Sequence, residues 1–339
     1  MSLTSTDSCL AFDIGGANIK AADGQGWSYS EPFAMWQEWK RLPDVIAHIM
    51  NLCPASHYAA TMTGEIADCF ADRKDGVKHI IESCSLPAGR KNFLFYSVDG
   101  SLLSATEASQ QPLQVAASNW HALARLAGSL APSGRSWLID IGSTTTDIVP
   151  LACGQPIPQG LNDWDRLLCG ELVYTGMERT PVPALRQSLP HRGTTRPIAC
   201  ECFATSQDVW LLLGNLPEDK KSNTTTDHKP ATRDAARIRI ARSMLLEPAS
   251  FTFADAIEAA TAIADSQTRL IQNAIGQMIQ NPAPDDSIVL SGQGEVLAKR
   301  ILDHMDWTPC TVSLKDELGA DLSRVAPAHA VAMIAQRRL

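Results

Sequence analysis

No apolar run in the 339-residue chain approaches the length of a membrane span. Residues Met1–Ser8 are short and polar, with no basic region leading into an apolar core. These absences predict a cytoplasmic protein without membrane attachment. Positive charge is also short: the formal net charge is −8, which argues against the footprint of a general nucleic-acid binder. The nine cysteines form no framework, and the close pair Cys200-Glu201-Cys202 lacks zinc-knuckle spacing. They read as reduced thiols, many of them buried as small hydrophobes. The histidines are dispersed, and no HExxH is present. What remains, 45% hydrophobic and 19% charged residues, is the composition of a soluble globular enzyme with room for two domains.

The chain is organised around WLIDIGSTTTDIVP, from Trp137 to Pro150. Trp137, Leu138, Ile139 and Ile141 form a β-prone run with Asp140 inside it. Gly142 breaks the strand, Ser143-Thr144-Thr145-Thr146 follow, and Asp147 precedes Ile148-Val149. This predicts a strand, a tight glycine turn and a returning strand. Such a turn aims N–H groups and hydroxyls at one spot, which suits a phosphate, and the carboxylates at its edge suit Mg²⁺. An ordinary hairpin with a polar tip is the plainer alternative. A second copy runs from Leu10 to Lys20, with Asp13-Ile14-Gly15 matching Asp140-Ile141-Gly142 letter for letter. Two such hairpins predict two similar lobes facing one ligand. A third element, Ile288-Val289-Leu290 followed by Ser291-Gly292-Gln293-Gly294-Glu295, reads as strand, glycine turn and helix N-terminus.

In chain order, Trp27–Pro32 reads as a short strand and Pro43-Asp44 opens a helix facing inward with Val45, Ile46, Ile49 and Met50. The strand Tyr58–Met62 delivers Thr63-Gly64-Glu65 to a loop, with Asp68 beyond. A site at a strand's carboxyl end competes there with plain helix N-terminal acids. Gly76–Cys84 reads as a short helix, Asp99-Gly100 as a hairpin turn, and Ser118 as the cap of a helix. The turn Ala131–Gly134 marks the boundary between lobes 1–134 and 135–339, the second with an irregular insertion at about 155–230. Asp163, Asp165 and Arg166, with Arg179-Thr180-Pro181 following, line a second substrate pocket or merely belong to a surface insertion held by salt bridges. Residues 215–230 read as a mobile loop, which leaves Asp227 uncertain as a site residue. Arg233 opens an arginine-rich helix, either as a phosphate grip or as part of a solvated face. Thr252 starts a capping box for a long helix ending before Pro282. Pro327 opens the C-terminal helix.

The order of elements resembles the actin-like fold of sugar kinases and actin: an α/β, two-lobed (ASKHA, ribonuclease H-like) fold with a central cleft. The stretches Thr61–Phe70, Gly176–Leu185 (GMERTPVPAL), Glu201–Thr205 and Pro327–Ala330 narrow it. They resemble the hydantoinase/oxoprolinase-related family linked to tetrahydromethanopterin C1 transfer, whose archaeal members are methanofuran-biosynthesis synthases. In such a cleft Gly15, Gly16, Asn18, Thr63, Gly142, Ser143, Thr144 and Thr145 would hold a phosphate chain, with Lys20 neutralising it. Asp13 and Asp140 would hold Mg²⁺. Gly292, Gly294 and Glu295 would contact the rest of the ligand. The resemblance implies release of diphosphate from a furan-methyl diphosphate, with capture by the phenol oxygen of tyramine, its glutamyl derivative or tyrosine. Glu65, Asp68 or Asp140 would serve catalysis, and ATP would not be required. An ATP-dependent kinase or hydantoinase/oxoprolinase-type hydrolase is the alternative, and a non-enzymatic nucleotide switch a further one. The partners expected are these small molecules, with no nucleic acid or membrane and a homo-oligomer left open.

Overall fold

The computed structural model describes residues 8–89, 92–305 and 307–338. Residues 1–7, in the polar start read above, lie outside the described residues. The strands are β1 (Cys9–Ile14), β2 (Asn18–Ala22), β3 (Ser28–Pro32), β4 (His57–Met62), β5 (Phe93–Tyr96), β6 (Leu102–Ser104), β7 (Arg135–Ile141), β8 (Thr146–Ala152), β9 (Gln155–Pro156), β10 (Leu172–Val173), β11 (Ser188–His191), β12 (Thr194–Pro197), β13 (Ser287–Ser291) and β14 (Cys310–Ser313). One sheet runs β3-β2-β1-β4-β5-β6; the other runs β10-β8-β7-β13-β14, with β9 on β8. Both follow one plan. An antiparallel hairpin lies at the centre, a third antiparallel strand flanks it on one side, and two parallel strands lie on the other. This is the two-lobed actin-like α/β fold.

Alternation along the central strands decides what faces the space between the sheets. Leu10, Phe12 and Ile14 pack outward in the first lobe's own core, with the helices Leu42–Leu52 and Arg73–Ala88. Trp137, Ile139 and Ile141 do the same in the second, with the helices Ser206–Leu212, Arg233–Ser243 and Phe253–Met278. The alternate residues Cys9 and Ala11 of β1, Leu138 of β7 and Val149 of β8 join a third core shared by both sheets. Two helices fill it, Asn119–Leu130 and Ala326–Gln336. The C-terminal helix thus packs on β1 and β4 of the first sheet. Asp13 and Asp140 follow Ala11 and Leu138 in this alternation, so the pleat carries both acids toward the shared side. Each lies near the carboxyl end of a strand paired in parallel with its neighbour.

Some elements differ from expectation. The helix read at Gly76–Cys84 spans Arg73–Ala88, because Asp72 caps it by accepting the Asp75 N–H at 2.8 Å. Ser118 makes no cap bond; its hydroxyl instead meets Thr61 Oγ1 at 2.8 Å. Residues 215–230, read as a mobile loop, are tied down. Asp227 accepts from Arg239 at 3.0 Å and Arg242 at 2.9 Å, Thr226 Oγ1 donates to the Phe203 carbonyl, and Asp219 bridges Ala231. Asp227 is therefore a structural anchor. Arg233 donates to the Leu212 carbonyl at 3.0 Å, capping the end of a helix rather than reaching for phosphate.

Candidate active site

The two hairpin turns close in the same way. Gly15 N–H donates to the Asn18 carbonyl at 3.0 Å, and Gly142 N–H to the Thr145 carbonyl at 2.9 Å. The parallel neighbour then brings its own loop to the same place on each sheet. Thr63 N–H donates to the Ile14 carbonyl and Gly294 N–H to the Ile141 carbonyl, both at 2.9 Å. The third glycine turn of the sequence is thus the second lobe's counterpart of the Thr63-Gly64-Glu65 loop. Its Gly292 is obligatory. Its φ is +84°, and a Cβ there would lie 2.3 Å from the Ile141 carbonyl oxygen and 2.7 Å from Asp140 Oδ1. At Gly16, by contrast, a Cβ would meet nothing within 4 Å. Gly16 therefore borders open space.

The GMERT segment braces the second turn. Met177 N–H donates to the Gly142 carbonyl at 2.9 Å, and Glu178 and Arg179 N–H both donate to the Ser143 carbonyl. Gly176 lies so close that a Cβ would sit 2.6 Å from the Gly142 oxygen. Behind it, Gln267 Nε2 donates to Thr175 Oγ1 and the Gly176 carbonyl, and Trp210 Nε1–H donates to Gln267 Oε1. A buried polar chain from the long helix thus fixes the turn.

Besides Glu178, beside the third turn, four carboxylates are held in this region against their preference. Asp13 is 4% exposed, with Oδ1 lacking any hydrogen-bond partner and Lys20 Nζ 3.8 Å from Oδ2. Burial pushes it up, and Lys20 opposes the rise. Asp140 is pushed up to about 6 by burial and by Asp147, its direct cross-strand neighbour. Ser291 and Lys20 temper this, and Asp13 adds to it. Lys20 and Asp13 of one lobe therefore act electrostatically on Asp140 of the other. Asp147 is also raised by burial, against the pull of Arg166, whose Nη1 is 2.8 Å away. Arg166 is buried over the Trp120 ring. It thereby reaches the site, while Asp165 stays in the local cap with Asn162.

Glu65 is the fourth. Its side chain is fully buried, neither carboxylate oxygen has a hydrogen-bond partner of good geometry, and burial pushes it up to about 7 against the pull of the Glu65 and Ala117 backbone N–H groups. Arg73 Nε, 3.8 Å from Oε1, opposes the rise. Such a carboxyl exchanges protons near neutrality, as a general base must. Nearby backbone strain accompanies it: Ala117, whose backbone lies by this carboxyl, has φ +46°.

Among the described residues, no group of three or more His, Cys, Asp or Glu is placed to enclose a metal ion. Asp13 and Asp140 would suit a magnesium ion that keeps most of its waters, held directly or through them. The orphaned Asp13 Oδ1 is consistent with such a role.

Of the other residues singled out from sequence, Ser143 and Thr144 lie together on the second turn, their hydroxyls 3.4 Å apart, with Thr145 beside them. Asn18 closes the first turn through its carbonyl. Asp68 is exposed, whereas Glu65 is buried. Glu295 departs from expectation: Ser313 Oγ donates to its two oxygens at 3.0 and 2.9 Å, which turns it toward β14 instead of the ligand. Three residues escaped the reading from sequence: Arg73, Asp147 as a partner of Asp140, and Glu178. Asp147 was findable, since residues seven apart face each other across a four-residue turn. Glu178, beside Gln293 of the third turn and raised by burial, had only its motif to mark it.

A family model described as hydantoinase/oxoprolinase matches residues 56–338. A curated protein of Methanocaldococcus jannaschii, named (4-{4-[2-(gamma-L-glutamylamino)ethyl]phenoxymethyl}furan-2-yl)methanamine synthase, is 30% identical over 97% of this chain and 98% of its own length. A protein of the same name from Methanococcus vannielii is 28% identical over 60% of this chain and 91% of its own. Among solved structures, an inorganic polyphosphate/ATP-glucomannokinase from Arthrobacter aligns over 97% of this chain and 99% of its own, at 13% identity and a TM-score of 0.44.

Proposed function

The chain belongs to the hydantoinase/oxoprolinase family, and from that premise we propose that it is a transferase of methanofuran- or methylofuran-type carrier biosynthesis. It couples a furan-methyl diphosphate to the phenol oxygen of a tyramine- or tyrosine-type acceptor and releases diphosphate. The name shared by the curated relatives contains a phenoxymethyl-furan, an aryl ether. Making that ether requires a phenol and a furan-methyl carbon with a leaving group. The observation that carries the reading is Glu65: a fully buried carboxyl that no side chain hydrogen-bonds, poised near neutrality beside paired phosphate-type turns.

The steps balance without ATP. The phenol oxygen forms a bond to the furan-methyl carbon as the bond from that carbon to the diphosphate oxygen breaks. Glu65 takes the phenol proton, which a free phenol would hold until about pH 10. The backbone N–H groups of Gly16, Ser143 and Thr144, which the turns leave unused, and the hydroxyls of Ser143–Thr145 face the charge that develops on the departing diphosphate. Lys20 adds a cation, and Mg²⁺ at Asp13 and Asp140 would supply further charge neutralisation.

The Gly292–Gly294 turn at a helix N-terminus favours a second reading, an ATP-dependent kinase or hydrolase. Incubation of the purified protein with a furan-methyl diphosphate, tyramine and Mg²⁺ separates them. Coupling without nucleotide is expected. Coupling only with ATP, with ADP formed in proportion, supports the second reading.

A further inference from the structure

Charge in the cleft is unbalanced for an anionic ligand. Asp13, Asp140, Asp147, Glu65 and Glu178 gather around the turns, against Lys20. Arg73 and Arg166 are already engaged, by Asp163 at 2.7 Å and by Asp147 at 2.8 Å. Arg179 is different. Among the described residues it makes no ion pair, although its charge acts on the adjacent Glu178; its side chain is exposed, and its guanidinium lies 5.4 Å from the ring centroid of Trp36. The two residues straddle the cleft. Arg179 N–H donates to the Ser143 carbonyl on the second turn. Trp36 follows Met35, whose N–H donates to the Gly16 carbonyl on the first turn at 3.0 Å. The side-chain contact therefore joins the two segments whose backbones brace the two phosphate-type turns.

Resting on the diphosphate reading, we propose that Arg179 is the specificity residue for the leaving group, pairing with the outer phosphate and so favouring diphosphate esters over monophosphate esters. Its backbone is pinned to the turn, so the side chain swings from a fixed base. The contact with Trp36 stores the guanidinium at the mouth through a weak, exposed cation–ring attraction. A phosphate offers a better partner, because the planar fork of arginine matches two phosphate oxygens at once. The inner phosphate is within the turns' own N–H groups. The outer one needs a cation that Lys20, beside Asp13, does not supply.

The test is calorimetric binding of inorganic diphosphate and of inorganic phosphate, each with Mg²⁺, to the wild-type protein, Arg179→Met and Arg179→Lys. Expected is a loss of about tenfold or more in diphosphate affinity for Arg179→Met, phosphate affinity within about twofold, and an intermediate value for Arg179→Lys, which keeps charge but loses the fork. A melting curve matching wild type shows that the exposed substitution leaves the fold intact. Unchanged diphosphate affinity in Arg179→Met overturns the proposal, as does an equal loss for both anions, which would mark a general field effect. Failure of the wild-type protein itself to bind diphosphate overturns the underlying reading instead.

Discussion

Arg73 and Asp163 meet at 2.7 Å across the cleft, one at the start of a first-lobe helix and the other at the start of a second-lobe helix. The same guanidinium stands 3.8 Å from Glu65. Arg73 is thus shared between the latch that joins the lobes and the carboxyl assigned as base. With the latch formed, Asp163 draws the positive charge toward itself and leaves Glu65 high.

The charged groups bearing on Glu65 are Arg73 and Asp163. Asp163→Asn removes a like charge and frees Arg73 to settle on Glu65, and both changes favour its ionised form. The acidic limb of the kcat/KM profile, set near 7 by Glu65, should move down by about one pH unit. Arg73→Met should move it up. A pH profile indifferent to both substitutions would remove Glu65 from the base role.

Stability should carry the same signature. Burial lifts Glu65 from 4.5 to about 7, so the folded chain holds this proton more tightly than the unfolded chain. Below 4.5 both states are protonated and no penalty exists. The penalty grows as pH rises through this window and reaches roughly 3 kcal/mol above it. Glu65→Gln should therefore melt higher than wild type at pH 8, with the gap closing toward pH 4. Thermal melts across this range check the sign.

Asp13→Asn and Asp140→Asn keep side-chain size but remove the charge that would meet Mg²⁺. Turnover should fall by about a hundredfold or more in each, while melting temperatures hold or rise because a buried charge is relieved. Full activity of either variant at ordinary magnesium would make these acids purely structural.

Glycines divide by what surrounds them. Gly176→Ala forces a Cβ against the Gly142 carbonyl at 2.6 Å. It should cost about 1–3 kcal/mol of stability and displace the second turn. Gly16→Ala meets no protein atom within 4 Å. It should melt like wild type yet bind diphosphate poorly, since its methyl would stand where the ligand does. Denaturant melts paired with diphosphate titrations distinguish the two.

The hairpins were legible because local chemistry writes them: β-prone runs, a glycine break, and an acid on the alternate face. The repeated Asp-Ile-Gly made the duplicated lobe plan readable before any coordinate. The latch was not legible, because Arg73 and Asp163 lie 90 positions apart and only the packing of the lobes brings them together. The anchoring of residues 215–230 was hidden for a related reason. Threonine-rich composition suggests mobility, but one buried arginine, Arg239, reaching Asp208 and Asp227 outweighs it. Glu295 misled because a helix N-terminus beside a glycine turn is a ready ligand contact, and the hydroxyl of Ser313 arrives from a strand that the motif does not include.

The most direct measurement is an isotope test of which bond breaks. A furan-methyl diphosphate carrying ¹⁸O in the bridge between carbon and phosphorus is incubated with a phenolic acceptor and Mg²⁺, and the products are weighed by mass spectrometry. Attack of the phenol on carbon sends all of the label out with diphosphate and leaves the aryl ether unlabelled. Label retained on a furan alcohol would mean cleavage between phosphorus and oxygen, the outcome for a kinase or phosphate hydrolase, and would contradict the transferase assignment.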